Sequence, residues 1–224
     1  MQTDIRKQLL NGAVALVVAG ISHWGCATTT YPVAVGTTKD PALLNLAGQH
    51  EAVFLLPPYM TCEDVRSEQP LPPKVHGADR VHSLMMSLAV DRLSQAGFRV
   101  LTADSLPSDK RGPAATVVER LSSECRVLAS SFKDKSALLP MLHELAEISG
   151  ARIVCIQDVR VKVGAGSTYD SGTGAMAQGT SSTELKVTFV SLESGGIVWK
   201  NGSVVRYEPT NKKFETAAKM LYDL

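Results

Sequence analysis

Apolar and polar positions divide the chain into segments of different period. Ala52–Leu56 is an unbroken apolar run ended by Pro57-Pro58, which predicts a short buried strand. The polar, proline-rich stretch from Tyr59 to about Lys74 predicts a loop. Asp79 reads as a helix N-cap. From there Val81, Leu84, Met85, Leu88, Leu93 and Ala96 recur at helical spacing up to Gly97, a C-terminal stop. Phe98–Leu101 reads as the next strand, and a strand–helix–strand unit of this length fits a parallel crossover. Further helices are predicted after Pro113, past Leu121 towards Leu128, and from about Ala137 to Ser149, where Gly150 stops the second. Three strand patterns follow. Arg152–Val163 is apolar and then alternating, Glu184–Val190 alternates Leu185, Val187 and Phe189 with polar residues, and Ile197–Tyr207 carries Val198, Trp199, Val204 and Val205. Ser194-Gly195-Gly196 predicts a hairpin turn between the last two, and Lys212–Tyr222 a terminal helix.

The expected fold is α/β, of the α+β kind. A mixed sheet of about five strands carries helices mainly on one face and ends in an antiparallel meander and a C-terminal helix.

Residues ahead of this pattern determine the expected compartment. Arg6 and Lys7 precede the apolar run Ala13–Ile21, and Ser22, His23, Trp24, Gly25 and Cys26 follow. A charged start, a short apolar run and small residues before a break predict an export leader. The run is shorter than the ~20 residues a membrane-crossing helix needs. Gly25-Cys26 resembles the end of a lipobox, in which the cysteine thiol is acylated before cleavage, with His23 and Trp24 as departures from the usual pattern. The alternative is a plain secretory leader with an incidental cysteine. Ala27 rather than Asp follows the cysteine, which by resemblance to enterobacterial sorting points to the outer membrane. The expected organisation is a signal peptide over 1–25, a lipidated Cys26 with a flexible tether over 26–49, and a single periplasmic α/β domain over 50–224. Within the tether, Leu43, Leu44 and Leu46 could instead form a short docking helix.

Composition narrows the functional classes. The chain is 44% hydrophobic and 20% charged, ordinary for a folded domain, and its formal net charge of +1 gives no electrostatic case for a nucleic-acid partner. With 5% aromatic residues, rows of stacking side chains are not expected. Of four cysteines, lipidation of Cys26 would leave three, an odd number. Cys155 lies inside Ile153–Ile156 and is expected as a buried thiol, while Cys62 and Cys125 are a candidate disulfide. No CxxC or paired-His spacing suggests a metal site, and no cofactor is expected. No nucleophile elbow, phosphate loop or HExxH helix occurs. His82 and His143 fall on predicted helices as partly exposed residues. Glu63-Asp64 and Asp109-Lys110-Arg111 read as solvated loop charges. The loop from Gly164 to Ser182 is rich in Gly, Ser, Thr and Ala. It reads either as a long hairpin tip or as a binding or oligomerising hairpin.

Three segments resemble the envelope lipoproteins that share the domain of CsgG, the TolB N-terminal region, LpoB and PelC. They are the strand Ala52–Pro57 with its proline exit, the helix-into-strand stretch Leu84–Val100, and the hairpin Val190–Trp199. The resemblance covers roughly residues 50 to 222 and leans towards the PelC type. It implies no catalysis by this domain. It implies an outer-membrane-anchored, periplasm-facing accessory or assembly factor of an envelope export or synthesis machine. Such a protein would act through an envelope partner or by self-association. Tyr59, Tyr169, Asp170 and Met176 are the expected contact residues. The rival expectation is a periplasmic ligand- or glycan-binding protein or enzyme, with the Tyr59–Lys74 loop and the glycine-rich hairpin closing over one pocket.

Overall fold

The computed structural model describes residues 33–34, 50–65, 67–73, 77–130, 133–164, 167–170, 175–178, 182–205 and 212–222. Cys26, its leader and Leu43, Leu44 and Leu46 lie outside the described residues. In chain order the elements are β1 (Val33–Ala34), β2 (Ala52–Leu55), β3 (Tyr59–Asp64), β4 (Gln69–Leu71), α1 (Ala78–Gln95), β5 (Arg99–Leu101), α2 (Ser108–Ser123), α3 (Cys125–Leu128) and α4 (Leu139–Ser149). They continue with β6 (Ile153–Val163), β7 (Ser167–Asp170), β8 (Ala175–Gln178), β9 (Ser182–Ser191), β10 (Ile197–Val205) and α5 (Lys212–Met220).

The five predicted strands form the body of the main sheet in the order β10-β9-β6-β2-β5, as a mixed α/β arrangement. β2 is parallel to both β5 and β6, the result of the β2–α1–β5 crossover. β6, β9 and β10 form the antiparallel meander. β1, β3 and β4 add short flanking pairs. β1 lies within the segment expected as a tether and pairs with β10, Val33 opposite Val204 and Ala34 opposite Ser203.

The helices cover both faces rather than mainly one. Val53 and Leu55 of β2 pack with Val81, Met85 and Leu93 of α1 and Phe214, Ala217 and Ala218 of α5. Phe54 and Leu56 point the other way, into Val117 and Leu121 of α2, Leu128 of α3 and Leu142 and Leu145 of α4. The physical reason stands in the sequence. An apolar run without alternation is a strand buried on both sides, so each side needs a cover.

The stretch expected as a proline-rich loop contains the antiparallel hairpin β3–β4, and β3 runs parallel to β6. β2 and β3 thus lie along one strand of the sheet, interrupted at Pro57-Pro58. Leu55 faces Cys155 and Tyr59 faces Asp158, so β2–β3 spends four steps where β6 spends three, a one-residue bulge. Proline lacks the N–H that would continue the ladder. A side chain repairs the gap: Gln157 Nε2 donates to the Leu56 carbonyl at 3.3 Å. Tyr222 then donates its hydroxyl to Gln157 Oε1 at 2.5 Å. Gln157 and Tyr222 are both buried. Burial, and to a lesser extent Cys155, pushes the Tyr222 phenol well above its usual range, so it remains a donor. Asn201 Nδ2 donates to the Leu221 carbonyl at 3.1 Å, a second tie between the C-terminal turn and the sheet.

Three helix starts differ in detail from the sequence pattern. Gly77, in the left-handed region at φ 80°, stands at the N-cap of α1, with Asp79 in the first turn. α2 begins five residues before Pro113, which sits inside it. The amide that Pro113 lacks would bond the Asp109 carbonyl, on an exposed turn where water can replace it. A 3-10 turn over Ser136–Leu138 precedes α4, which stops at Gly150, φ 68°. The expected turn closes β9 onto β10 through Ser191 N to the Gly196 carbonyl at 2.9 Å. Gly195, φ 67°, lies where an added Cβ would stand 3.3 Å from Leu139 Cδ2, so glycine serves both the conformation and the close approach to α4.

Candidate functional site

The helical layer α2–α4 covers only part of its face of the sheet. Beyond Ile156 the residues on that face turn polar. β6 contributes Asp158, Arg160 and Lys162, and β9 places Lys186 opposite Asp158 and Glu184 opposite Arg160. β3 adds Tyr59 opposite Asp158 and Thr61 opposite Arg160. Arg126 of α3 closes one side, with Nη2 donating to Thr61 Oγ1 at 3.1 Å and its guanidinium 5.7 Å from the centre of the Tyr59 ring. Tyr59 is therefore half-buried in a cation–π contact rather than free-standing.

The charges on this face pair in alternating sign. Asp158 is 6% exposed, and its Oδ2 accepts from Arg160 Nη2 at 3.0 Å and Nε at 3.2 Å. Its Oδ1 is buried with no hydrogen-bond partner among the described residues. Glu184 pairs with Lys186 two residues along the same strand. Burial raises the Glu184 pKa, but the hydrogen bond and charge of Lys186, with Arg160 and Lys162 nearby, outweigh burial and hold the carboxyl below its usual range. A carboxyl depressed by folding stabilises the native state above its unfolded pKa, and that contribution is lost as pH falls through the folded value. We therefore expect the stability difference between the wild-type protein and Glu184→Gln to be full near neutral pH. It should shrink in acid, below the ordinary carboxylate range, when followed by urea unfolding at stepped pH. A difference that grows in acid would contradict the assignment.

Within the ladder Arg126 holds Thr61 and Tyr59, Arg160 holds Asp158, and Lys186 holds Glu184. Among the described residues no group of three or more His, Cys, Asp and Glu side chains could hold a metal ion.

Of the remaining expected contact residues, Tyr169 and Asp170 lie on β7 and Met176 on β8. These strands pair as a separate two-stranded ribbon, Tyr169 opposite Met176 and Asp170 opposite Ala175. The glycine-rich segment thus contains ordered backbone pairing. Tyr59 belongs to the main sheet and the other three residues to the ribbon, so the four are not members of one sheet. Arg126, Thr61, Arg160, Glu184 and Lys186 were not among the expected contacts. The signals that mark Arg160, Glu184 and Lys186 are the alternations Asp158-x-Arg160-x-Lys162 and Glu184-x-Lys186-x-Thr188, which put a polar row on the face opposite Val159, Val161, Leu185 and Val187, while no local signal marks Thr61 or Arg126.

The candidate disulfide is corrected by the fold. Cys62 and Cys125 are buried thiols in core clusters on opposite faces of the sheet, so no side-chain rotation brings the sulfurs together. Cys155 is a buried thiol on the Cys62 side of the sheet. Burial, reinforced by the charge of Asp158, pushes the Cys125 thiol up to about 12, and burial pushes Cys155 higher still. Such thiols carry almost no thiolate at neutral pH. All three being buried from reagent, we expect no fast reaction with a disulfide reagent at pH 8 in the native protein, and three equivalents after denaturation if Cys26 is acylated. Four equivalents would signal an unmodified Cys26, and one would restore the disulfide.

Two clefts flank the 191–197 turn. One, of about 360 Å³, lies between α4 and the 191–193 segment and includes His143, Glu147, Arg152 and Glu193. There His143 Nε2 donates to the Glu193 carbonyl at 2.9 Å, and Arg152 pairs with Glu51 at 3.0 Å. The other, of about 530 Å³, includes Lys133, Asp134, Lys135 and Ser194, with Lys135 Nζ donating to the Gly195 carbonyl at 2.9 Å. In each cleft at least one polar side chain is engaged in holding the turn. Among the described residues, neither cleft is lined by one from 59–74 or 164–182, the segments expected to enclose a ligand. His82 is exposed on α1. No described helix is long and apolar enough to cross a membrane.

No family model matches the chain, and no curated protein matches it. Among solved structures, it is similar to the lipoprotein GNA1162 from Neisseria meningitidis, at 17% identity and a TM-score of 0.36, over 72% of this chain and 85% of that one. It is similar to a PelC dodecamer from Paraburkholderia phytofirmans, at 12% identity and a TM-score of 0.39, over 85% and 92%. A third is the LpoB C-terminal domain from Salmonella enterica, at 10% identity and a TM-score of 0.34, over 73% and 94%.

Proposed function

We propose that the protein is an outer-membrane lipoprotein, anchored through Cys26, whose periplasmic domain is an accessory or assembly factor of an envelope export or synthesis machine. It works by binding an envelope partner or further copies of itself. The observation that carries the reading is the run Ala13–Ile21 followed by Gly25-Cys26, placed ahead of the compact unit Pro32–Leu224. Lipid on a cysteine anchors in proportion to the methylenes buried, about 0.8 kcal/mol each, and two or more chains hold stably. The half-covered charged face around Asp158 and the β7–β8 ribbon are the surfaces offered to the partner.

Cys26→Ser tests the anchor. The wild-type protein is expected to take up palmitate and to sediment with outer membranes. The variant should lose the label and appear in the soluble fraction. Wild-type protein recovered from the cytosol with residues 1–25 attached would end the proposal. Native mass and pull-down of the anchored protein test the second half, and a strict monomer with no envelope partner would count against it.

A further inference from the structure

We infer that the β10–α5 side of the domain docks on an anionic phospholipid surface, an orientation that rests on lipidation at Cys26 and adds a specific membrane-facing side to it. The first observation is covalent. β1 pairs with the outer edge of β10, and only residues 27–32, six in number, separate Cys26 from Val33. At about 3.3–3.6 Å per residue, seven steps reach about 25 Å at full extension. With β1 paired, the β10 edge stays within that distance of the lipid. The other end of the sheet order, β5, lies four strands away from β10. At about 4.8 Å per strand that is roughly 19 Å further along the sheet.

The second observation is the chemistry of the helix over that edge. α5 packs against β10 and α1. Phe214, Ala217 and Ala218 are buried against the sheet, with Leu221 and Tyr222 just beyond its end. Its charged positions are Lys212, Lys213, Lys219 and Glu215, a net of +2 over nine residues in a chain whose total is +1. Lys219 is exposed and pairs with Glu215 at 3.0 Å, so the surplus charge of the helix is that of Lys212 and Lys213, and Met220, 46% exposed, is the most exposed of the large hydrophobic residues described. A lysine-rich helix that carries an exposed apolar side chain suits a surface that is anionic at the headgroups and apolar just below them. The short covalent link keeps this helix near such a surface at high effective concentration, so weak attraction suffices. β1 pairing thus keeps the β10 edge near the anchor, the charge of α5 turns that side to the bilayer, and the Asp158 face and the β7–β8 ribbon are left for other contacts.

The test uses the full-length lipidated protein in phosphatidylcholine vesicles with or without phosphatidylglycerol, doped with a nitroxide-headgroup lipid. A fluorophore is attached at Thr216→Cys on α5 or at Arg99→Cys on β5, the native thiols of the domain being buried. With phosphatidylglycerol present, quenching at position 216 is expected to exceed that at 99 several-fold. Removing the anionic lipid, raising salt, or introducing K212E with K213E should bring it down to the value at 99. A Val33→Cys/Val204→Cys pair should cross-link and leave the position 216 quenching intact. Vesicle-bound protein that quenches equally at 216 and 99, or that ignores anionic lipid, overturns this inference alone. Absence of palmitate together with failure to enter vesicles overturns the lipidation reading and this inference with it.

Discussion

Phe189→Ala is expected to destabilise the domain by about 3–5 kcal/mol, the usual range for removing a buried phenyl ring from a core that cannot collapse. Phe189 is fully buried on β9, between its neighbours β6 and β10. Its ring stands edge-on to Phe98 at 6.2 Å and tilted against Trp199 at 5.1 Å, so the ring joins the β5 side of the core to the β10 side. Small domains are stable by only about 5–15 kcal/mol, and the variant would lose a large share of that margin. Urea unfolding should show the midpoint moving with little change in slope. A loss under about 1 kcal/mol would mean that the ring is not enclosed as described.

The second large effect is expected at Gln157. Gln157→Leu keeps similar volume but leaves the Leu56 carbonyl and the Tyr222 hydroxyl without their buried partner. Each buried group left unsatisfied costs about 1–3 kcal/mol. Tyr222→Phe removes only the hydroxyl, leaves Gln157 bonded to Leu56, and should cost less. In the double variant the losses should not add, with a coupling of about 0.5–3 kcal/mol. Additive losses would show that Gln157 and Tyr222 do not form one network across the Pro57-Pro58 break.

These two sites differ in how far the sequence exposes them. Phe189 is marked by the alternation Leu185, Val187, Phe189, and that period by itself assigns it to a buried face. Gln157 follows the apolar run Ile153–Ile156, and nothing local distinguishes it from the start of a solvated row. Its role comes from a partner 101 residues away and another 65 residues away. The same holds for Tyr59. Its position after two prolines reads as a loop, yet β6 is long enough to pair with β2 and then, past the bulge, with β3. Cys62 and Cys125 stood as a candidate pair for the related reason that two irregular-looking segments gave no indication of which face of the sheet each cysteine would join.

Periods, stops and turns in the chain were sufficient to specify the five main strands, the principal helices and the mixed α/β class. Each of these follows from side-chain spacing and from glycine and proline at element ends, which are properties of neighbouring residues. Tertiary structure alone decided that helices lie on both faces, that a proline-broken strand is mended by Gln157 and Tyr222, and that Arg126, Asp158, Arg160, Glu184 and Lys186 share one surface. Those outcomes depend on the strand order and on a one-residue bulge. Contacts between residues a hundred positions apart are selected by the packing of the whole sheet, and no local pattern encodes them.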